Sequence, residues 1–267
     1  MIYITEQDKD KINYNGWEKV ERLDLSNGSY YAKYTGTDGA FRELFGKKIF
    51  DMVGIPSPDY LYIKDKNCIL TTDLREKYKN FVFANELGDI TSIDVLEEVL
   101  KQFTNYDELI KAINIMHFID ILFCNTDRHS SNYGFAINED NSATLVVLDN
   151  ELMLDDFTHA TRPVSFPTNS HFTFLEYSKV AEYIYFLEKL PEDQKQIVYY
   201  LLKKFDIKTV YSIMTEIETE HKCKFKRKNK IFINYLKNYI KLYEVSARES
   251  KKQKPESETY QKVKNNN

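Results

Sequence analysis

Asp127, Asn132 and Asp149 are the residues of this chain whose types and spacing could do chemistry. They fall in Asn125-Thr126-Asp127-Arg128-His129-Ser130-Ser131-Asn132 and in Leu145-Val146-Val147-Leu148-Asp149. A carboxylate is followed by an amide five residues on and by a second carboxylate seventeen residues further, around what reads as a hairpin. Phosphoryl transfer uses this set of oxygens. One carboxylate aligns an attacking hydroxyl, while an amide oxygen and another carboxylate hold magnesium on the phosphates of ATP. Magnesium takes few protein oxygens and completes its shell with phosphate and water, so Asn132 and Asp149 suffice as its expected ligands. Asp127 is the expected aligning group.

The elements that must position these groups are legible nearby. Asp107 to Phe123 is apolar nearly all round, which predicts a buried helix, and it ends where the motif begins. Asp127 therefore sits in a loop on a rigid scaffold, where catalytic groups collect. Tyr133 to Ile137 and Thr144 to Leu148 read as a hairpin across Asn138 to Ser142, so Asp149 emerges at a strand end and meets Asn132 across it. His129 either orients Asp127 or packs the loop. Arg128 either pairs a carboxylate or sits in solvent. Asp120, seven residues before Asp127, either braces the loop or faces water; buried, it would need a partner.

Upstream, Trp17 to Leu25 and Tyr30 to Tyr34 read as strands around Ser26-Asn27-Gly28-Ser29, Asn-Gly being a strong hairpin signal because both residues tolerate positive φ. Gly36 and Gly39 mark a loop. Ala40 to Val53 reads as a helix, with Phe41, Leu44, Phe45, Ile49 and Met52 at three- and four-residue steps, ended by Gly54-Ile55-Pro56-Ser57-Pro58. Tyr60 to Lys64 and Cys68 to Thr72 form a second hairpin, and Leu70 to Leu74 reads as a hinge, with Thr72 beside the nucleotide. Lys33 precedes Glu43 by ten residues. A nucleotide site uses such a pair: the ammonium contacts phosphates and the carboxylate holds the ammonium. There is no glycine-rich phosphate loop; only the Ser26–Gly28 turn offers backbone N–H groups for phosphate. Helices are expected from Ile93 onward, including Phe174–Leu190, Pro191–Phe205, Lys208–Thr219 and Asn229–Glu244, while Leu154 to Thr173 reads as loop. The end of the chain is polar and is expected to be disordered.

With 267 residues the chain is long enough for one large or two small domains around a sizeable core, and its hydrophobic and charged fractions of 42% and 29% are those of a globular protein. A net charge of −4 offers no field for nucleic acid or an acidic membrane. The basic run Lys222 to Lys230 reads as a solvated loop or helix start, or as a patch for an acidic partner. The 20 Tyr and 17 Phe accompany abundant Lys, Asn and Ile, and read as biased codon usage rather than base stacking. Cys68, Cys124 and Cys223 have neither zinc nor redox spacing. No basic segment followed by an apolar run opens the chain, and Ile113 to Cys124, the longest apolar stretch, is too short to span a bilayer. A cytoplasmic protein is expected.

These residues resemble the HipA-like kinase family in a short form lacking the separate N-terminal subdomain. Asn125 to Asn132 resembles that family's Asn-x-Asp-x-His-x-x-Asn catalytic loop, Leu148-Asp149-Asn150 its metal-binding segment, and Lys33 with Glu43 and Gly54 to Pro58 its small-lobe features. The resemblance spans roughly residues 15 to 245. It implies an α+β, bilobal protein-kinase-like fold: a small β-rich N-lobe over 1–74, a larger helical C-lobe over 75–247 and a disordered tail over 248–267. It implies ATP and Mg2+ as cofactors and transfer of the γ-phosphate to a Ser or Thr of a protein substrate. Asp127, His129 and Asn132 would be catalytic, with Lys33, Glu43, Ser26, Gly28 and Thr72 on the nucleotide and Asn132 and Asp149 on the metal. Several members are toxins of toxin–antitoxin systems, which makes an antitoxin a candidate partner; with the net charge of −4, no direct contact with nucleic acid and none with a membrane are expected. Asp-Arg-His-x-x-Asn also resembles the loop of phosphoinositide kinases, whose metal Asp is commonly followed by Phe-Gly; Asn150-Glu151 follows here. A lipid or small-molecule kinase, or a non-catalytic nucleotide-binding partner module, are the rival readings.

Overall fold

The computed structural model describes residues 2–13, 20–90, 93–123, 125, 127–154 and 191–223, with helical positions at 232, 235–236, 239–240, 243–244 and 247–248. The loop expected over 155–173, the helix expected over 174–190, the basic residues 224–230 and the tail from 249 lie outside the described residues.

Four antiparallel strands form the first sheet, in the order β1-β2-β4-β3: β1 (Val20–Leu25), β2 (Gly28–Lys33), β3 (Tyr60–Ile63) and β4 (Cys68–Thr72). Alternation sets its two faces. Leu23, Leu25, Tyr30, Ala32, Ile63, Cys68 and Leu70 pack on one side with Ile2 and Ile12, which flank a short helix, α1 (Glu6–Lys11). The sequence reading passed over α1, although Thr5 and Asp8 spell a capping box and make one: each side chain accepts the other's backbone N–H. Asp8 also accepts the Ser26 N–H and hydroxyl, tying α1 to the β1–β2 turn. That turn differs from the expected Asn-Gly type. Leu25 pairs with Gly28, so Ser26 and Asn27 are the loop residues, and of the Asn-Gly pair only Gly28 has positive φ, at 141°.

The other face of the sheet meets α2 (Gly36–Met52). This helix starts before the expected Ala40, and Gly36 and Gly39 lie inside its first turn. Gly39 is there for close approach: a Cβ would sit 2.4 Å from the Thr35 side chain. Met52, expected in the core, is exposed. Gly54 at φ 78° ends the helix in a left-handed cap, with the Ile55 N–H returning to the Phe50 carbonyl. Residues 39–46 of α2 are buried on every side, because the helix belongs to one large core shared with α5 (Tyr106–Leu122), α6 (Glu192–Lys204) and α7 (Ile207–Glu220).

A second sheet, β5-β6-β7, is built from β5 (Phe81–Phe83), β6 (Tyr133–Ile137) and β7 (Ala143–Val147). The hairpin β6–β7 matches expectation, whereas β5 falls where no strand was expected, after the short helix α3 (Leu74–Lys77). With α4 (Ile93–Leu100), α5 fills the centre. Its second half, 116–122, is buried at every position, as an all-round apolar sequence requires. Phe123, just beyond it, meets Phe45, Phe205 and Tyr235, with ring centroids 5.2–5.4 Å apart. Among the described residues no helix is long and apolar enough to cross a membrane.

Candidate active site

The β6–β7 register explains how residues seventeen positions apart become neighbours. Tyr133 pairs with Val147, and the Leu148 N–H continues the ladder to the Asn132 carbonyl at 3.0 Å. Asn132 thus lies beside Leu148, one residue from Asp149. Both line a cleft of about 230 Å³ between the two sheets, with Lys33, Glu43, Tyr60, Thr72 and Ser131 among its other walls.

Asp149 has φ 53°, a left-handed conformation that Asp tolerates better than most residues. The chain turns sharply there, and three consecutive residues face α2 and β2. The Asp149 Oδ1 lies 2.6 Å from the Lys33 Nζ. The Asn150 N–H donates to the Glu43 Oε2 at 2.8 Å. The Glu151 carboxylate returns to the Lys33 Nζ at 3.0 Å. Glu43 Oε1 completes the ammonium's shell at 2.8 Å. Gly46 lets α2 approach this segment, since a Cβ there would lie 2.4 Å from the Asn150 side chain.

Burial pulls the Lys33 ammonium down, but Glu43 and Asp149 outweigh it and hold the group above its ordinary range, so Lys33 is charged. Burial pushes the Glu43 carboxyl up, against the opposing pull of Lys33. The Tyr60 hydroxyl is also pushed up, by burial first and then by the Glu43 and Asp149 carboxylates it faces. Three carboxylates around one ammonium leave a surplus of negative charge.

Asn132 donates its Nδ2 to the Asp127 carbonyl at 2.7 Å, which fixes the amide orientation and leaves Oδ1 without a donor among the described residues. The Asp149 Oδ2 has none either. These two oxygens and the surplus charge suit a magnesium ion, which needs few protein ligands. They would hold it, although no cluster of three or more His, Cys, Asp or Glu suited to a metal occurs among the described residues.

Asp127 is exposed. Its N–H donates to the Asn125 Oδ1 at 3.3 Å, and its carboxylate takes no donor among the described residues. His129 is exposed too, and its Nδ1 accepts the Ser131 N–H at 3.3 Å, so in this structure it caps the turn rather than touching the Asp127 carboxylate. Thr72 lines the cleft, with its hydroxyl accepting the Asp59 N–H. Ser26 and Gly28 stand outside the lining of the cleft. The Ser26 N–H is taken by Asp8 and the Ser29 N–H by Glu76, so the turn presents neither donor to a phosphate.

Sequence reasoning missed Glu151 as a partner of Lys33 and left Arg128 and Asp120 open. Both are buried and paired: the guanidinium grips both Asp120 oxygens, at 2.9 and 3.1 Å. The Asn125 Nδ2 adds a third bond to Asp120. A charged residue directly after Asp127, eight residues from an aspartate on a buried helix, was the available signal.

No protein-family model matches the chain, and no curated protein matches it in sequence. Solved structures do resemble it. The proinflammatory kinase CtkA of Helicobacter pylori superposes with a TM-score of 0.57 at 20% identity, covering 84% of this chain and 95% of that one. HipA of Shewanella oneidensis MR-1, solved in a toxin–antitoxin complex with HipB and operator DNA, superposes with a TM-score of 0.57 at 10% identity. That match covers 88% of this chain and 65% of HipA, so this chain spans just under two thirds of its length. The fold is the kinase-like fold of these two proteins.

Proposed function

We propose that the chain is a HipA-like kinase that transfers the γ-phosphate of ATP to a Ser or Thr hydroxyl of a protein. The observation that carries this reading is the convergence of Lys33, Asn132 and Asp149 on one cleft; Asp127 stands outside the lining of that cleft but is tied to Asn132 through its backbone carbonyl. Lys33 would contact the phosphates, held by the buried Glu43. Asn132 and Asp149 would hold magnesium, which when bound neutralises phosphate charge. Thr72 and Leu74 would border the nucleotide on the hinge side. Asp127 would accept a hydrogen bond from the acceptor hydroxyl and align it for in-line attack. Catalysis on this scheme is positioning and charge neutralisation.

The exposure of Asp127 favours a protein acceptor over a small alcohol held in an enclosed pocket. A toxin role with an antitoxin partner belongs to the same reading; the Shewanella HipA is in complex with HipB.

Radiolabelled ATP offered with protein, lipid and small-alcohol acceptors tests the acceptor class, with label on protein expected. Asp127→Ala is expected to lower transfer by about 10²–10⁴-fold while ATP affinity, measured calorimetrically, stays close to that of the wild type. Transfer near the wild-type rate in that variant removes Asp127 from the mechanism, and label appearing on lipid or small alcohol alone replaces the protein acceptor.

A further inference from the structure

Arg128 lies outside the cleft lining, yet two of its five N–H donors reach cleft-lining residues, a third reaches the neighbour of Asp149, and the other two hold Asp120. Nε and one Nη hold the two Asp120 oxygens. The same Nη donates to the Asn150 Oδ1 at 2.7 Å. The other Nη donates to the Asn132 carbonyl at 2.9 Å and the Leu148 carbonyl at 2.6 Å. One planar group therefore touches Asn132 itself and the residues on either side of Asp149. Its far end is anchored through Asp120 to α5, in the centre of the core. The Phe50 ring of α2 covers the guanidinium at 5.6 Å.

Stability alone does not account for this arrangement. Both side chains of the pair are fully buried, and an apolar pair of similar volume at such a place is commonly neutral or better for stability. An ammonium could not replace the guanidinium, because three donors on a flexible stem do not match four acceptor groups around one plane.

We propose that Arg128 is a positioning residue that fixes the separation of Asn132 and Asp149 and thereby sets how strongly magnesium promotes ATP binding. The proposal rests on the kinase reading and assigns that site a determinant of its metal response.

The test uses the full chain and titration calorimetry with ATP, once with excess magnesium and once with a chelator. Two variants are compared with the wild type: the double replacement Asp120→Leu with Arg128→Met, which removes both buried charges together, and Arg128→Lys, which keeps a cation beside Asp120. Thermal melting by circular dichroism reports folding. The expected result is ATP affinity in chelator near that of the wild type, with the gain on adding magnesium reduced by about 10–100-fold, the size of effect seen when groups supporting a metal ligand are removed. A merely structural role would lower the melting temperature and leave that gain unchanged. A folded variant with the wild-type gain overturns the role of Arg128, and Arg128→Lys decides if the double variant does not fold. A wild-type chain that binds ATP with no response to magnesium, or not at all, overturns the kinase reading and the proposal with it.

Discussion

Lys33 donates hydrogen bonds to Glu43 at 2.8 Å and Asp149 at 2.6 Å, and Glu151 adds an ion pair at 3.0 Å, so three carboxylates crowd one ammonium. A phosphate approaching the ammonium competes with these carboxylates for it. Glu43 is the fixed partner, since its side chain is buried and its second oxygen holds the Asn150 N–H. Asp149 and Glu151 are partly exposed and can turn away, Asp149 toward a metal. Glu151 has no such role and competes with phosphate for Lys33. Glu151→Ala is therefore expected to tighten ATP binding in chelator by about two- to five-fold, roughly the worth of one partly exposed ion pair. Weaker binding on calorimetric titration would make Glu151 a support for the site. The Lys33–Glu43 spacing and the Asp127, Asn132, Asp149 offsets were legible because Lys33, Asn132 and Asp149 stand at or beside strand ends, Glu43 falls within a recognisable helix and Asp127 in the loop after one. Glu151 was not legible, because its approach to Lys33 depends on the positive φ of Asp149, a backbone choice that residue type permits without announcing.

At the scale of elements, α5 carries the site from below. Its Asp120 anchors the loop, and His117, one turn earlier, is buried in the core, where burial first and then the nearby Arg128 charge push the imidazole down to about 3 from its ordinary 6.5. The native His117 is therefore neutral at any pH where the protein would be studied. Below about 6.5 the unfolded chain takes up a proton that the native state cannot, so stability is full above that pH and falls as pH drops toward 3. At pH 5 the loss from this one group is on the order of 2 kcal/mol. Replacement His117→Gln should shrink the difference in denaturant-measured stability between pH 7.5 and pH 5 by about that amount, and an unchanged difference would assign the acid sensitivity to other groups. The apolar sequence of α5 and the β6–β7 alternation made these elements readable. The start of α2 was hidden by Gly36, which takes a positive φ of 68° in open space, and by Gly39, which serves close packing against Thr35 and Glu151 where a turn would ordinarily be inferred. The short strand β5 gives too few residues to show a period and owes its existence to pairing with β6.

Across the whole molecule, α2 decides how the parts act together. It packs on the first sheet and shares its core with α5, α6 and α7, so Glu43 and the Asp149 segment are held by one continuous packed body. Lys48 on the same helix reaches Glu216 and Glu220 of α7, adding exposed ion pairs of small individual worth to the same contact. This arrangement holds Lys33 against both Glu43 and Asp149. The central claim is that the cleft between the sheets binds a metal–triphosphate complex between Lys33 and the Asn132–Asp149 pair. A crystal structure of the full chain with a non-hydrolysable ATP analogue and manganese in place of magnesium tests it most directly, because the metal reveals itself by anomalous scattering. The account expects a manganese peak within coordination distance of the Asn132 Oδ1 and an Asp149 carboxylate oxygen, with a phosphate oxygen on the Lys33 Nζ. An analogue bound in the cleft with no metal at those two oxygens, or a triphosphate lying away from Lys33, would contradict it.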